Sequence, residues 1–525
     1  MRPSMKRKAS SSSPLPVLLS RARLGTPLAK EAILRAEDTV CRLQISCRLT
    51  GHSGCVNTVA LTPEADRLIT GSDDCLIKLW SLSGAELFSY ESGHHGNIFC
   101  ARLVRGSTVI SCAADGAVRL SELTDGSSSL VLRHRGRAHR LALRGDVALT
   151  CGEDGLVNRV DVRAPSAESQ TLLRARADGH KMAIYTIAQH PQEPHIFAVA
   201  GASPTVFEFD ERMLSESATL ALATARFCPS SLRGSHEHIT GIKYDWCGGE
   251  LLASFNDDDA FVFDRSAHAM TSDETADSST AAPPADEDEE ADATAPAEAT
   301  YRGRYVGHRN QQTVKQIAFY GPRSEWVVSG SDCGHIFFWR ASDGKLVNII
   351  EGDTIGAVNC LESRGDMGLL ATSGLENDAK VLWPDRPERH AIYDDGGRLL
   401  RRFERVINRN TRPTGAAASA FDDPALLMQL MNSDEAAGSR SERRMLLRLL
   451  SQLIGRHHAE EDEDEEDAGE EERDEEDEEP DDDDDGSQEE SGNSSFDDGE
   501  EEDDGDGDDD DDDGDDGEED VDEGG

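Results

Sequence analysis

Units of about forty residues repeat along the chain before residue 386, and this period constrains the fold more than any other feature. The first unit, Gly51–Leu82, contains a Gly-His pair, an alternating apolar run, a Ser-Asp-Asp turn and a second apolar run that includes Trp80. Short alternating strands with Gly, Asp and Asn turns at this spacing predict four-stranded propeller blades rather than a sandwich. Six further units begin near Gly93, Arg137, Ala183, His238, Gly307 and Ala357.

The two ends of the repeat region indicate how a ring would close. The run "TVCRLQISCRLT" (Thr39–Thr50) precedes the first Gly-His pair and predicts the outer strand of the seventh blade. Pairing it with the last unit would join both ends and remove the exposed sheet edges. We therefore predict an all-β fold, a seven-bladed propeller over residues 39–385. Residues 266–300, rich in Ala, Asp, Glu, Pro and Ser, predict a disordered acidic insertion between the fifth and sixth units.

Three segments outside the ring differ from it in composition. Residues 1–38 are Ser- and Arg-rich and predict a disordered basic N-terminus; "KRK" (6–8) is a nuclear address, a plain basic tail or part of an organelle transit peptide. Residues 386–459 predict an Arg-rich helical extension, in which leucines recur at helical spacing near residue 450. Residues 460–525 predict a disordered acidic tail, because the segment has almost no apolar residues.

The net charge of −51 belongs almost entirely to two low-complexity segments. Residues 460–525 hold 45 acidic residues and one basic residue, and residues 266–300 hold 10 acidic residues with no Lys or Arg. The remainder is close to neutral, so we expect no direct nucleic-acid binding. The tail either solvates the protein or offers a counter-surface to basic partners such as histones. No apolar run approaches the length of a membrane span, and we predict no membrane association.

The sequence contains no recognisable catalytic or metal-binding pattern. A Gly-rich phosphate loop, a G-x-S-x-G elbow, an H-E-x-x-H motif and paired Cys/His zinc spacing are all absent from the sequence. The eleven cysteines include no C-x-x-C pair, which favours reduced thiols in an intracellular protein. We therefore predict a protein that is not an enzyme and that uses no cofactor and no metal.

Several recurring residues have a structural interpretation. In the first unit, His52, Thr70 or Ser72, Asp74 and Trp80 can form a buried hydrogen-bond chain between loop, turn and strand. Their recurrence at blade spacing argues against metal coordination. Ser121, Val160, Phe209 and Cys333 replace the usual Trp or Asp, so some blades must close differently. The corresponding structural residues in other units are His94, Asp115, Asp154, His308 and Trp339.

Two successive units end in the same short motif. "VDVR" (160–163) and "FDER" (209–212) place Asp161 with Arg163 and Asp210 with Arg212. A residue just after the third strand of a blade emerges at one rim of the ring, and Arg offers a planar fork of donors that is common in interface hot spots. The alternative is a local turn with a solvated ion pair of little energetic value. The "FDRS" sequence at 263–266 lacks the spacer residue, and we do not count it as a third copy.

Over residues 39–385 the chain resembles the WD-repeat family through these units. The runs "SGSDCGHIFFW" (329–339) and "GHHGNIF" (93–99), with the Arg-rich stretch before an acidic tail, resemble the cullin-4-associated receptors, and among them the factor-8 type. This resemblance implies a non-catalytic substrate receptor of a cullin–RING ubiquitin ligase. It implies docking on the damage-specific DNA-binding protein, the ligase's propeller adaptor, through Asp161, Arg163, Asp210 and Arg212.

The remaining partners are predicted only by class. The substrate would be an unidentified protein captured by another surface, with basic proteins as one candidate class, and we expect the chain in nucleus and cytoplasm. The alternative is a nuclear WD-repeat scaffold or histone chaperone, in which the acidic tail is the active element.

Overall fold

Seven four-stranded antiparallel sheets form the blades of a closed ring, which confirms the predicted seven-bladed all-β propeller. In each sheet the first strand is innermost and the remaining three follow outward. The computed structural model describes residues 27–163, 169–177, 180–215, 218–268, 301–394 and 396–411.

The strands are given blade by blade, and β1 (Gln44–Thr50) belongs to the last blade. Blade one comprises β2 (Val56–Leu61), β3 (Arg67–Ser72), β4 (Leu76–Ser81) and β5 (Glu86–Glu91). Blade two comprises β6 (Ile98–Arg105), β7 (Thr108–Ala113), β8 (Ala117–Glu122) and β9 (Ser128–Arg133). Blade three comprises β10 (Ala138–Arg144), β11 (Val147–Gly152), β12 (Leu156–Asp161) and β13 (Ser169–Arg174). A short hairpin follows, β14 (Arg176–Ala177) and β15 (His180–Lys181).

Blade four comprises β16 (Ile184–Gln189), β17 (Ile196–Gly201), β18 (Ser203–Asp210) and β19 (Ala225–Phe227). Blade five comprises β20 (Ile239–Tyr244), β21 (Glu250–Phe255), β22 (Ala260–Asp264) and β23 (Gly303–Tyr305). Blade six comprises β24 (Ile317–Tyr320), β25 (Trp326–Gly330), β26 (His335–Arg340) and β27 (Leu346–Glu351). Blade seven comprises β28 (Val358–Arg364), β29 (Leu369–Gly374) and β30 (Asp378–Trp383), with β1 outermost. Single-turn 3₁₀ helices lie at Glu211–Met213, Leu220–Leu222, Ser230–Leu232 and Arg265–Ala267.

The hydrophobic core lies between neighbouring blades rather than inside any one sheet. Phe227 of blade four, for example, packs in one buried cluster with Phe255 and Phe261 of blade five. Each blade is buried on both faces, which explains why its inner strands contain long apolar runs. Every blade in the ring must therefore present two apolar faces. Each unit of about forty residues supplies this pattern for one blade.

The N-terminal strand closes the ring as predicted, but it is shorter than the sequence pattern suggested. β1 pairs antiparallel with β30 from Gln44↔Trp383 to Thr50↔Asp378. Residues 39–41, predicted as the start of this strand, instead belong to helix α2 (Glu37–Cys41), which follows helix α1 (Pro27–Leu34). Val40 is fully buried against blade six, and Asn348 Nδ2 donates a hydrogen bond to its carbonyl at 2.9 Å. Tertiary burial thus overrides the strand preference of the β-branched pair Thr39-Val40.

Two predicted boundaries need correction. Disorder was predicted throughout residues 1–38, yet residues 27–38 are helical or near-helical, and Leu34 is buried. The acidic insertion was predicted between units five and six. Because β23 pairs with β22, the chain from 269 to 300 connects the third and outer strands of blade five instead. Residues 1–26 and 269–300 lie outside the described residues.

One helix of the Arg-rich extension is described, α3 (Arg401–Asn410). Phe403 is buried against blade six, and Asn410 Nδ2 donates to the Gly307 carbonyl at 2.9 Å. The leucine-rich run near residue 450 and the acidic tail lie outside the described residues. Within the described residues, no helix is long and apolar enough to cross a membrane.

A polar chain links loop, turn and strand in blade one. His52 Nδ1 lies 2.9 Å from Asp74, His52 Nε2 lies 2.7 Å from Thr70 Oγ1, and Trp80 Nε1 donates to the same hydroxyl at 2.8 Å. Thr70 rather than Ser72 is therefore the central member. Burial raises the pKa of Asp74, but hydrogen bonds from His52 and the Ser53 and Leu76 backbones outweigh it and hold the pKa at about 2. The carboxylate is thus ionised at neutral pH.

Blades two and three repeat this chain without the Trp. His94 contacts Asp115 at 3.2 Å and Ser111 Oγ at 2.9 Å. In blade three, Asp154 is paired with His134, which also lies 2.9 Å from Thr150 Oγ1. His134 was not predicted because Arg133 stands before it in place of the usual Gly. The Trp positions of units two to four hold Ser121, Val160 and Phe209, all buried.

Blade six closes by a different arrangement. Cys333 occupies the usual Asp position, and Asp332 pairs instead with the fully buried Lys315. Neither ring nitrogen of His308 has a hydrogen-bond partner among the described residues, and the ring packs edge-on against Trp339 at 5.3 Å. Burial and nearby Lys315 lower the pKa of His308 to about 3, so this histidine is neutral. Trp339 Nε1 donates to the Val306 carbonyl at 3.0 Å.

Candidate functional site

The first Asp-x-Arg motif forms a tight ion-paired turn immediately after β12. Asp161 accepts the backbone N–H of Arg163 at 3.1 Å. The guanidinium of Arg163 returns to the same carboxylate with two bonds, Nε at 2.9 Å and a terminal nitrogen at 2.5 Å. This bidentate pairing fixes the plane of the guanidinium, and it holds the pKa of Asp161 well below its usual range.

The second motif adopts the same geometry after β18. Asp210 caps the 3₁₀ helix Glu211–Met213 by accepting the backbone N–H of Arg212 at 2.9 Å. Two guanidinium nitrogens of Arg212 contact the same carboxylate at 3.0 and 2.6 Å. The two motifs therefore share one local structure, because Asp favours this side-chain-to-backbone turn.

Strand register places both motifs on the same face of the ring. Asp161 pairs with Val147, which in turn pairs with Arg144, the last residue of inner strand β10. Asp210 pairs with Ile196, the first residue of β17. Both turns thus lie where the inner strands end. We call this the motif face, and the face where the inner strands begin the opposite face.

A direct link connects the two motifs. Glu211, the spacer residue of the second motif, contacts Arg159 of β12 at 2.9 Å and Arg144 at 3.3 Å. Glu211 is mostly buried, with 18% of its side chain exposed. The motifs in blades three and four are therefore adjacent and held in register by an inter-blade ion pair.

The arginine side chains of the two motifs are much more exposed to solvent than their aspartate partners. The side chains of Arg163 and Arg212 are 59% and 67% exposed, whereas those of Asp161 and Asp210 are 22% and 12% exposed. Solvent-exposed ion pairs contribute little to stability. The arrangement presents two oriented guanidinium planes to solvent, and each has an edge, unpaired among the described residues, that can bind a partner's carbonyl or carboxylate.

The uncounted "FDRS" sequence adopts the same turn but turns its arginine inward. Asp264 accepts the backbone N–H of Ser266 at 2.9 Å, so Ser266 stands where the two motifs have Arg. Arg265 instead contacts the buried Glu208 at 2.8 Å and Glu193 at 2.7 Å. The missing spacer therefore converts a surface arginine into a contact between blades four and five.

Two exposed apolar side chains extend the motif face, and sequence reasoning did not identify either. Met213, directly after the second motif, is 70% exposed, and Trp246 in the β20–β21 turn is 49% exposed. The guanidinium of Arg323 lies 5.8 Å from the Trp246 ring, and Ser324 Oγ accepts the Trp246 backbone N–H at 2.9 Å. A Trp inside a Gly-rich turn, away from any alternating strand, was the available sequence signal.

A cleft of about 750 Å³ separates the second motif from the Trp246 turn. Asp210, Asp245, Cys247 and Glu250 are among the residues that line it, together with Arg265. Within the described residues, no group of three or more His, Cys, Asp or Glu side chains is placed to hold a metal ion. The motif face is therefore a mixed polar and apolar surface suited to protein contact.

Comparison with known proteins agrees with this architecture. Residues 43–81 and 300–340 match the family model described as WD domain, G-beta repeat. DDB1- and CUL4-associated factor 6 of Homo sapiens is 28% identical over 255 residues, which cover 44% of this chain and 29% of that protein. WD repeat protein iqw1 of Schizosaccharomyces pombe is 27% identical over 261 residues, covering 42% of this chain and 32% of that protein.

A third relative matches a shorter stretch. WD and tetratricopeptide repeats protein 1 of Mus musculus is 36% identical over 117 residues, which cover 22% of this chain and 16% of that protein. Each of these alignments spans less than a third of the relative's own length. The chain is thus similar to WD-repeat proteins in the two matched stretches and in its seven four-stranded blades.

Proposed function

We propose that this chain is a non-catalytic substrate receptor of a cullin-4 RING ubiquitin ligase. Its motif face docks on the ligase's propeller adaptor through Arg163 and Arg212, and another surface captures the protein to be ubiquitinated. The chemistry of ubiquitin transfer belongs to the partners, and the receptor only positions its substrate.

One observation carries this proposal, the pair of identical, adjacent and exposed Asp-x-Arg turns. Their guanidinium planes are oriented before any partner arrives, which lowers the entropic cost of binding. Arg is enriched at interface hot spots because its fork makes several hydrogen bonds while its stem packs on apolar surface. Met213 and Trp246 lie on the same face and supply apolar area beside the charged pair.

The relatives support the same role. Two of them, from human and mouse, carry the name DDB1- and CUL4-associated factor 6, and each is 28% identical to this chain over 255 residues. The proposal therefore names the cullin-4-associated receptors as a group. Assignment to the factor-8 type stays a prediction from the resemblance of short runs in the sequence.

Affinity purification of the full chain and of an Arg163→Ala/Arg212→Ala variant tests the proposal. We expect the wild-type chain to retain the adaptor and cullin-4, and the double variant to lose both while its melting temperature is unchanged. Arg137→Ala is the matched control, because Arg137 is 62% exposed but lies on the opposite face. Undiminished adaptor retention by the double variant would contradict the docking role.

The same purification addresses the histone-chaperone alternative. Deletion of residues 460–525 removes 45 acidic residues and leaves the described propeller intact. A receptor keeps its adaptor after this deletion, whereas a chaperone loses its basic partners and never retained the adaptor. The two roles therefore predict different partners for the same truncated chain.

A further inference from the structure

Four aromatic rings form a continuous row on the opposite face of the ring. Phe99 stacks on His139 at 5.5 Å between centroids, His139 meets Tyr185 edge-on at 5.1 Å, and Tyr185 meets His238 edge-on at 5.7 Å. These residues come from blades two, three, four and five in order. We call them the aromatic arc.

A β-bulge directs three of these side chains away from the sheets. The pairing of inner and second strands skips one residue between Ile98 and Cys100, between Ala138 and Arg140, and between Ile184 and Thr186. The skipped residues are Phe99, His139 and Tyr185. Because a bulge re-aims the unpaired side chain, these rings face the axis of the ring at the mouth where the inner strands begin.

Other blades place polar residues at the same bulge. Asn57 in blade one donates to Asp73 at 2.6 Å, and Asn359 in blade seven accepts from Thr313. The polar residues are satisfied by neighbours in the fold. Phe99 and Tyr185 are instead only half-buried, so the arc keeps partly exposed ring surface. Aromatic area that the fold leaves partly uncovered at a channel mouth is suited to binding a ligand.

Carboxylates lie beside the second ring of the arc and at its far end. Glu153 lies 3.4 Å from His139 Nε2, although Arg137 approaches it at 4.0 Å. At the other end, Glu237 precedes His238, and burial together with the neighbouring Asp257 and Asp258 carboxylates raises the pKa of Glu237. Arg304 is 3.8 Å from Asp258 and offsets part of this charge. Asp259 also contacts Arg304, at 2.6 Å, and the guanidinium of Arg140 donates to the Phe99 carbonyl at 3.1 Å. Five carboxylates thus lie beside three guanidinium groups, which leaves a local excess of negative charge.

We propose that the aromatic arc binds a basic segment of a partner polypeptide, with a Lys or Arg side chain over the Tyr185 ring. Cations are attracted to the faces of aromatic rings, and the flanking carboxylates add charge complementarity. The same carboxylates repel phosphate, which disfavours single-stranded nucleic acid as the ligand. This inference deepens the proposed function, because it names the substrate class and places its site on the face turned away from the adaptor.

Fluorescence anisotropy with the full chain tests the arc directly. The probe is a short Lys- and Arg-rich peptide, and the comparison peptide replaces each Lys and Arg by Gln. We expect a Phe99→Leu/Tyr185→Leu variant, which keeps apolar volume but removes two rings, to bind the basic peptide about tenfold more weakly. Tyr185→Phe keeps the ring and should bind like the wild type, which separates ring chemistry from packing.

The controls keep this test independent of the adaptor. Because residues 460–525 hold 45 acidic residues that also attract a basic peptide, each measurement is repeated on chains without them, and the affinities of variant and wild type are compared there as well. Trp246→Ala, on the motif face, should leave peptide affinity unchanged. Equal affinity of the Leu variant and the wild type, or tighter wild-type binding of the Gln peptide or of a single-stranded RNA, would overturn the inference. Adaptor retention measured on the same variants reports separately on the proposed function.

Discussion

Glu211 of blade four contacts Arg159 of blade three at 2.9 Å, and this ion pair links the second Asp-x-Arg turn to the strand that ends in the first. Glu211 is the spacer residue of the second motif, so the position between Asp210 and Arg212 is not neutral. The affinity of a partner that binds both arginines at once depends on their spacing as well as on their charge. The spacer residue is therefore part of the candidate docking surface.

Replacement of Glu211 by Gln should weaken adaptor retention several-fold, because it removes the ion pair that joins the two turns. We expect a change of less than about 1 kcal/mol in the free energy of unfolding, since the pair lies near the surface. Glu193→Gln is the matched control, because it breaks the ion pair to Arg265 on the same face without bridging the motifs. Quantitative pull-down with purified adaptor measures the difference, and equal retention by both variants would exclude a spacing role.

Met213→Ala combined with Trp246→Ala should reduce adaptor affinity by about tenfold or more, the effect expected when a hot-spot aromatic is truncated. The melting temperature should change little, because both side chains are largely exposed. Leu130→Ala provides the control, since Leu130 is 51% exposed on the outer strand of blade two. Surface plasmon resonance against immobilised adaptor gives both affinities. An unchanged affinity would confine the docking surface to the arginines.

Thr70→Val should destabilise the fold by about 2–4 kcal/mol, because it leaves His52 Nε2 and the Trp80 N–H buried without a partner. Ser111→Ala, the equivalent change in blade two, removes a partner from His94 alone and should cost less. Chemical denaturation of both variants measures the difference. A larger loss for Ser111→Ala would show that Trp80 does not depend on this hydroxyl.

The packing of helix α3 on the propeller should weaken in mild acid because of His390. This residue lies 2.8 Å from Asn348 Oδ1 and packs against Phe403 of the helix. Burial, with the Arg386 and Arg402 guanidiniums, lowers the pKa of His390 to about 4, against about 6.5 in an unfolded chain. The folded protein therefore binds fewer protons than the unfolded chain between these values. This contribution is complete above pH about 6.5 and decreases as the pH falls toward about 4.

The resulting loss in the free energy of unfolding is about 1 kcal/mol, after allowance for the partial exposure of the imidazole ring. His390→Asn keeps a hydrogen-bond donor near Asn348 but cannot titrate, so its melting temperature should fall less than that of the wild type between pH about 7.5 and about 5. Parallel thermal scans of the two proteins at both pH values give the comparison. Identical pH dependence would assign the acid sensitivity to other groups.

The ring could be predicted from sequence because its cause is local and repeated. Each forty-residue unit carries its own turns and alternating strands, and the paired ends 44–50 and 378–383 are visible as strand patterns. Helix α2 could not be predicted in this way, because Thr39 and Val40 favour a strand and adopt a helix only through burial against blade six. The closure of blade six could not be predicted either, because Lys315 and Asp332 pair although no sequence motif connects them.

The candidate sites differ in the same respect. An Asp-x-Arg turn is determined by three consecutive residues, so Arg163 and Arg212 could be identified from the sequence alone. The link from Glu211 to Arg159 and the aromatic arc from Phe99 to His238 cross blade boundaries. Their members are 40 or more residues apart, and only the packing of neighbouring blades brings them together.

Closure of the ring by β1 has a consequence for synthesis of the chain. Arg48 and Asp378, which pair across this closure, are 330 residues apart, so β1 leaves the ribosome long before its partner strand exists. Throughout that interval the nascent protein exposes an unpaired strand edge at its beginning and another at its growing end. Translation that stalls within blade seven therefore yields a product with two aggregation-prone edges, a state that chaperones must cover until the last strands arrive.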